Sequence, residues 1–155
     1  PIDHPGLRSR AVFFEPFWLA APRSLAIGKQ SSIAPDSLDG EQMILLEEGH
    51  CLSGQALSVC PSRRQTNNNR LQSTSLETLR NMVALSDKYT LLPWLAVGST
   101  PAMPDLLNYR KLDGTTGREI AMVYRHASRD SADLDAFYHL LLRHLPDGVI
   151  PTEPV

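Results

Sequence analysis

The sequence predicts an α/β fold, because short apolar segments of strand length alternate with segments whose apolar residues recur at helical spacing. The clearest strand is 119–125, where apolar residues alternate between two faces. The clearest helix covers about 75–86, with apolar residues three and four positions apart. A capping-box pattern precedes this helix, with Thr74 and Glu77 as the expected capping side chains.

The other elements are less sharply marked and are predicted in chain order. Apolar runs bounded by proline, glycine or polar turn residues predict strands at 12–14, 17–21, 43–46, 71–73, 89–92 and 107–112. Helical spacing predicts helices at 51–60 and 133–145. The inward face of the last helix is predicted to consist of Leu134, Phe137, Tyr138, Leu141 and Leu145. Polar stretches predict loops at 23–39, 61–69 and 114–117.

Composition limits the class of protein. The chain has 155 residues, enough for one ordinary domain or two small lobes, with 42% hydrophobic and 21% charged residues, as in soluble globular proteins. Its net charge of −2 argues against a dedicated nucleic-acid-binding module, which is usually basic. No apolar run approaches a membrane span and no signal peptide opens the sequence, so we expect a cytoplasmic location. Because the sequence starts at Pro1, we expect a fragment of a larger protein.

Two cysteines, Cys51 and Cys60, carry the most informative spacing. If the segment between them is helical, nine steps of ~1.5 Å and ~100° place them ~13 Å apart on opposite faces. A disulfide requires Cα atoms within roughly 7 Å, so pairing would require the helix to unwind. In a reducing cytoplasm, disulfides tend to be transient, catalytic or redox-sensing. The spacing therefore favours a switch, although two buried cysteines that lie nine residues apart by chance fit equally well.

Cys51 is the better candidate for the reactive thiol, because a helix N-terminus stabilises a thiolate and His50 is its neighbour. A thiolate that attacks peroxide becomes a sulfenic acid, which Cys60 could capture as a disulfide. A zinc site formed by His50, Cys51 and Cys60 is the third interpretation. It lacks a C-x-x-C pair and an obvious fourth ligand. We expect neither a metal nor an organic cofactor.

The segment resembles the redox segment of the OxyR-type regulators, a hydrogen-peroxide-sensing family within the LysR-type transcriptional regulators. The likeness extends over nearly the whole chain. The matching stretches are Phe14-Glu15-Pro16, Leu38-Asp39-Gly40-Glu41, Leu46-Glu47-Glu48-Gly49-His50-Cys51-Leu52, Thr74 to Ala84, Thr90-Leu91-Leu92-Pro93 and Arg118 to Arg125. Two stretches depart from the family: Gly54 replaces an acidic residue, and Ser86-Asp87-Lys88-Tyr89 replaces a glycine-rich turn.

The resemblance implies residue roles. Cys51 matches the peroxide-reactive cysteine, Cys60 its disulfide partner, and His50 the histidine that helps to bind and activate peroxide. Arg118 matches an arginine close to the reduced site, and Gln55 stands where the family has a polar residue. Considered alone, Arg118 could also be a solvated charge at the start of a strand.

The resemblance also implies an architecture, the second lobe of a periplasmic-binding-protein-like regulatory domain with part of the first lobe. Residues 1–14 would end the first lobe, 15–119 would form the second lobe, and 120–155 would return to the first. The family's DNA-binding helix-turn-helix is expected to be absent from this sequence.

The function that the resemblance implies is peroxide sensing by a transcription activator, not enzymatic turnover. Implied partners are hydrogen peroxide, a thiol reductant of the glutaredoxin or thioredoxin type and a second copy of the chain. The intact protein would form a dimer or tetramer and contact promoter DNA and RNA polymerase. Two alternatives remain open: a LysR-type domain that binds a small metabolite and has incidental cysteines, and a thiol peroxidase with an external reductant.

Overall fold

The computed structural model describes residues 4–47, 51–60, 71–98, 101–128 and 131–152. The chain divides into two compact units. The central unit is Pro16–Gly117, and the terminal unit combines Pro1–Glu15 with Arg118–Val155. The assignment of residues 1–14, 15–119 and 120–155 to lobes of a longer regulatory domain stays a prediction.

Strands and helices alternate along the described residues, as expected for an α/β fold. The strands are β1 (Leu7–Pro22), β2 (Leu45–Leu46), β3 (Gln72–Ser73), β4 (Thr90–Pro93), β5 (Leu107–Lys111), β6 (Gly117–Arg125) and β7 (Ile150–Pro151). The α-helices are α1 (Cys51–Val59), α2 (Leu76–Ala84), α3 (Trp94–Val97) and α4 (Ala132–Arg143). Within the described part of the chain, no helix has the length and apolar character that crossing a membrane requires.

Strand β1 corrects the prediction of two strands interrupted at Glu15-Pro16. It is continuous over 16 residues, with residues 7–15 in the terminal unit and 16–22 in the central unit. Proline lacks the N–H that a ladder bond needs, so the sequence pattern suggested an interruption there. The chain nevertheless stays extended through Pro16, and pairing with β4 begins at Phe17, opposite Pro93. The Phe17 N–H donates to the Thr116 carbonyl at 3.0 Å.

The central unit is organised around the second part of β1. Strands β4 and β5 flank it in antiparallel pairing, with Leu19 opposite Leu91 on one side and opposite Arg110 on the other. Leu19 is fully buried, as expected for a strand with neighbours on both edges. The predicted strand 43–46 is shorter than expected, because only Leu45–Leu46 pair, in parallel, with β3.

Helix α2 confirms a predicted helix but corrects its cap. Its N-cap is Ser75, whose hydroxyl accepts a hydrogen bond from the Thr78 N–H at 3.1 Å. Thr74, the predicted cap, precedes it and is exposed. Strand β4 is followed directly by α3, a short helix that the sequence did not predict.

The terminal unit contains β6, β7 and α4. Strands β6 and β7 both pair with β1, and Tyr138 of α4 is fully buried, donating its hydroxyl hydrogen to the Ala11 carbonyl at 2.7 Å. Phe137 was predicted to face inward but is 49% exposed, at an open apolar cavity of about 290 Å³. Leu142, which was not predicted, is buried instead.

We predict that Ser75→Ala lowers the free energy of unfolding by about 1 kcal/mol, because the Thr78 N–H at the start of α2 loses its acceptor. Urea titration followed by circular dichroism measures the change. Thr74→Ala is the matched control and should leave the free energy of unfolding within ~0.5 kcal/mol of the parent value. Equal losses in the two variants would show that Ser75 is not the cap.

Candidate functional site

The two cysteines stand at opposite ends of helix α1 in the central unit. Cys51 is the first helical residue and is exposed, whereas Cys60 directly follows the helix and is 2% exposed. Neither forms a disulfide. The helix predicted for 51–60 is therefore present, and the two thiols occupy different environments.

Burial of Cys60 is part of a regular pattern. Leu52, Ala56 and Cys60 are four residues apart, so they lie along one face of the helical segment, and all three belong to the main buried cluster. Helix α1 lies against β2, whose leucines belong to the same cluster. One narrow apolar face thus attaches α1 to the core and carries Cys60 with it.

The geometry of α1 keeps the thiols apart. Nine helical steps correspond to a separation of ~13 Å between the cysteine Cα atoms, on nearly opposite sides of the helix axis. A disulfide needs those atoms within roughly 7 Å. The two cysteines can therefore pair only if α1 unwinds.

The residues between the cysteines make α1 a weak helix. A Cβ added at Gly54 would meet no atom within 4 Å, so packing does not require glycine at this helical position. Glycine costs a helix about 1 kcal/mol relative to alanine. The Ser58 hydroxyl donates to the Gln55 carbonyl at 2.7 Å, a local bond that competes with regular helix structure.

Gln55 presents a buried polar atom close in sequence to Cys51. It lies four residues after Cys51, one turn along the same side of α1. Its side-chain Oε1 is buried and has no hydrogen-bond partner among the residues that the structure describes. An amide oxygen with unused acceptor capacity can bind a small O–H donor.

His50 and the predicted surface loop 61–69 lie outside the described residues. The proposed part of His50 in peroxide activation therefore stays a prediction. Among the residues that the structure describes, no group of three or more His, Cys, Asp or Glu side chains is arranged to bind a metal ion.

Arg118 lies in the terminal unit and forms an ion pair. Its Nε donates to the Glu15 carboxylate at 2.8 Å, and the Glu15 side chain is fully buried whereas that of Arg118 is 23% exposed. Arg118 is thus not merely a solvated charge at a strand start. Its proposed role beside the reduced thiol stays a prediction.

Sequence reasoning did not single out Tyr89, which shares the buried core of the central unit with Cys60. Both residues are 2% exposed and belong to the same buried cluster. The Tyr89 hydroxyl accepts a hydrogen bond from the Asp39 N–H at 2.6 Å and donates to the Asp39 carbonyl at 2.8 Å. The only signal in the sequence was that Ser86-Asp87-Lys88-Tyr89 stands where the family has a glycine-rich turn.

Comparisons with known proteins agree with this architecture. The family model of the LysR substrate binding domain matches residues 1–146. A reduced form of OxyR from N. meningitidis superposes with a TM-score of 0.83 at 27% identity, covering 99% of this chain and 71% of that chain.

Two curated relatives are transcriptional regulators by name. The hydrogen peroxide-inducible genes activator of Haemophilus influenzae is 36% identical over 117 residues, 76% of this chain and 39% of the relative. The HTH-type transcriptional regulator EstR of Acinetobacter baylyi is 36% identical over 146 residues, 92% of this chain and 48% of the relative. The chain thus spans less than half the length of these relatives.

We predict that Gly54→Ala raises the free energy of unfolding of the reduced chain by about 0.5–1 kcal/mol. The added methyl group meets no atom, and alanine favours the helix. Urea titration measures the change. Gly114→Ala is the control: its position is equally open, but its φ of +72° strains an L-residue, so this variant should lose stability. A destabilised Gly54→Ala chain would contradict the helical packing described above.

We predict that Arg118→Ala lowers the free energy of unfolding by about 3 kcal/mol, because the buried Glu15 carboxylate loses the adjacent cation. The control is Asp135→Ala, which removes the exposed ion pair with Arg10 and should cost less than about 1 kcal/mol. Thermal unfolding of both variants makes the comparison. Similar losses would show that the Glu15 pair contributes no more than a surface pair.

Proposed function

The chain belongs to the LysR substrate-binding domain family, and we propose that it senses hydrogen peroxide through a reversible disulfide between Cys51 and Cys60. The observation that carries the proposal is the placement of the two thiols at opposite ends of α1. Cys51 is the first residue of the helix and is exposed, whereas Cys60 directly follows its last residue and is buried. The names of the peroxide-responsive relatives add support.

The chemistry has two steps. The Cys51 thiolate attacks one peroxide oxygen, the O–O bond breaks, and Cys51 becomes a sulfenic acid while the other oxygen leaves as hydroxide and is protonated to water. The Cys60 sulfur then attacks the sulfenic sulfur, the S–S bond forms, and the oxygen leaves as a second water. Hydrogen peroxide gains two electrons, and the two thiols lose them.

Placement of the thiols gives each a part in this sequence. Cys51 is exposed and therefore accessible to a solvent-borne oxidant. Cys60 is withdrawn into the core, so it reaches Cys51 only after α1 unwinds. Oxidation is thereby coupled to refolding of residues 49–61.

Three further residues are assigned to peroxide binding and activation. His50, adjacent to Cys51, would donate a hydrogen bond to peroxide. Gln55 offers the buried Oε1 as an acceptor for a peroxide O–H. Arg118 would stabilise negative charge on the leaving oxygen, in addition to pairing with Glu15.

Refolding would act on the intact protein through its partners. In this proposal, the refolded segment changes how two copies pack in a dimer or tetramer. The new packing repositions a DNA-binding domain at the promoter and alters contact with RNA polymerase. A thiol reductant of the glutaredoxin or thioredoxin type would supply two electrons to restore both thiols.

We predict that one equivalent of hydrogen peroxide links Cys51 to Cys60 within seconds, as detected by non-reducing peptide mapping. Cys51→Ser should stay unreacted at Cys60, because the accessible thiol is gone. Cys60→Ser should stop at a Cys51 sulfenic acid, which a 1,3-diketone traps. Consumption of peroxide should be stoichiometric.

Three outcomes would contradict the proposal. Two thiols that stay reduced at micromolar peroxide would favour a domain that binds a small metabolite and has incidental cysteines. Continuous peroxide consumption with added reductant would indicate a thiol peroxidase. A linkage between cysteines of two different chains would rule out the intramolecular switch.

A further inference from the structure

The buried cluster that contains Cys60 also includes residues of a hydrogen-bonded loop, 39–44. The Tyr89 side chain lies in the same buried cluster as Cys60. Its hydroxyl satisfies both backbone groups of Asp39, accepting from the N–H at 2.6 Å and donating to the carbonyl at 2.8 Å. Because the buried Tyr89 hydroxyl makes two hydrogen bonds to the Asp39 backbone, it fixes this loop to the tyrosine ring.

The backbone of Tyr89 attaches the same loop a second time. The Tyr89 N–H donates to the Gln42 carbonyl at 3.1 Å, and the Ile44 N–H donates to the Tyr89 carbonyl at 2.9 Å. Met43, between these two residues, is 1% exposed and belongs to the cluster that contains Cys60. We call the segment 39–44 with Tyr89 the tyrosine clasp.

The clasp leads directly into β2, against which α1 packs, and Cys60 follows α1. Burial raises the pKa of Tyr89 to about 12, the hydrogen bond from Asp39 opposes the shift, and the nearby Cys60 and Asp39 groups add to it. The clasp therefore belongs to the same packed core from which Cys60 must depart.

We propose that Tyr89 is a positioning residue that keeps the clasp closed in the core that holds Cys60 and so limits how often this thiol leaves that core. The inference rests on the proposed disulfide switch. Opening the clasp exposes the backbone groups of Asp39 and loosens the packing around Cys60. The clasp thus acts on disulfide closure and not on the initial attack of Cys51 on peroxide.

The first test measures the two steps separately in Tyr89→Phe. We expect closure of the disulfide to become roughly tenfold faster, a factor that corresponds to about 1.4 kcal/mol. Formation of the Cys51 sulfenic acid should change by less than about twofold. Quenched-flow mass spectrometry with a 1,3-diketone trap resolves both rates.

Tyr109→Phe is the matched control. Tyr109 also lies in the central unit, is 8% exposed, and donates its hydroxyl hydrogen to the Ala102 carbonyl at 2.8 Å. Tyr109→Phe should leave the rate of disulfide closure unchanged. The acceleration expected in Tyr89→Phe comes from opening the clasp and not from the loss of any buried hydroxyl. Closure at the parent rate in Tyr89→Phe, or equal acceleration in both variants, would overturn the proposal.

A second test does not depend on the switch. The chain has only two cysteines, so in a Cys51→Ser background alkylation reports on Cys60 alone. We expect Tyr89→Phe, and not Tyr109→Phe, to raise the alkylation rate of Cys60 about tenfold. An unchanged alkylation rate of Cys60 would overturn the proposed role of the clasp, even if the disulfide forms. Faster alkylation in a chain that forms no disulfide would instead reject the proposed function alone.

A third measurement needs no change at Tyr89. In the Cys51→Ser chain, the protection factor of the Asp39 amide against hydrogen exchange should match the protection of Cys60 against alkylation, because one opening event exposes both. Protection factors that differ by more than about tenfold would show that Cys60 leaves the core without opening the clasp, and would overturn the proposal.

Discussion

The rise of the α-helix fixes the distance between Cys51 and Cys60: nine residues give ~13 Å, about twice the Cα separation that a disulfide permits. This constraint makes the covalent state of the thiols and the conformation of residues 51–60 mutually dependent. A structural disulfide would join residues that the fold already places together. Here the fold places them apart, so a bond between them must alter the fold.

The stability of α1 is suited to such an alteration because few buried side chains attach the helix to the core and a glycine weakens it. Burial of Leu52, Ala56 and Cys60 attaches the helix to the core, and a fully buried leucine contributes about 1.5–3 kcal/mol. Gly54 weakens the helix by about 1 kcal/mol, and it does so without a packing requirement. Local unfolding of a segment attached this lightly does not require unfolding of the sheet, where Leu19 and its neighbours are buried on both sides.

The sequence predicted the elements that local patterns determine. Helices α1 and α2 and strand β6 follow from apolar spacing and from turn residues at their ends. The continuity of β1 through Pro16 could not be predicted, because it depends on strands β4, β5 and β7 that lie far along the chain. The N-cap of α2 could not be predicted either. Thr74 and Ser75 both fit the capping motif, and only the backbone conformation shows that Ser75 is the cap.

Residues that act through distant partners were the least predictable part of the candidate site. Arg118 pairs with Glu15, 103 positions away, and Tyr89 bonds to Asp39, 50 positions away. Spacing in a sequence carries no information about such pairs. The cysteines themselves were identifiable because their separation is local and helical geometry translates it directly into distance.

Reversal of the proposed switch follows from the same constraint. An oxidised segment that has lost α1 and the buried position of Cys60 has given up favourable packing, so its disulfide is less stable than an unstrained one. Each 1.4 kcal/mol of that loss raises the reduction potential by about 30 mV. Strained disulfides with higher potentials are the ones that cellular thiols reduce readily, whereas structural disulfides resist them. In the proposed switch, the packing that keeps Cys60 in the core would both delay disulfide formation and favour return to the dithiol.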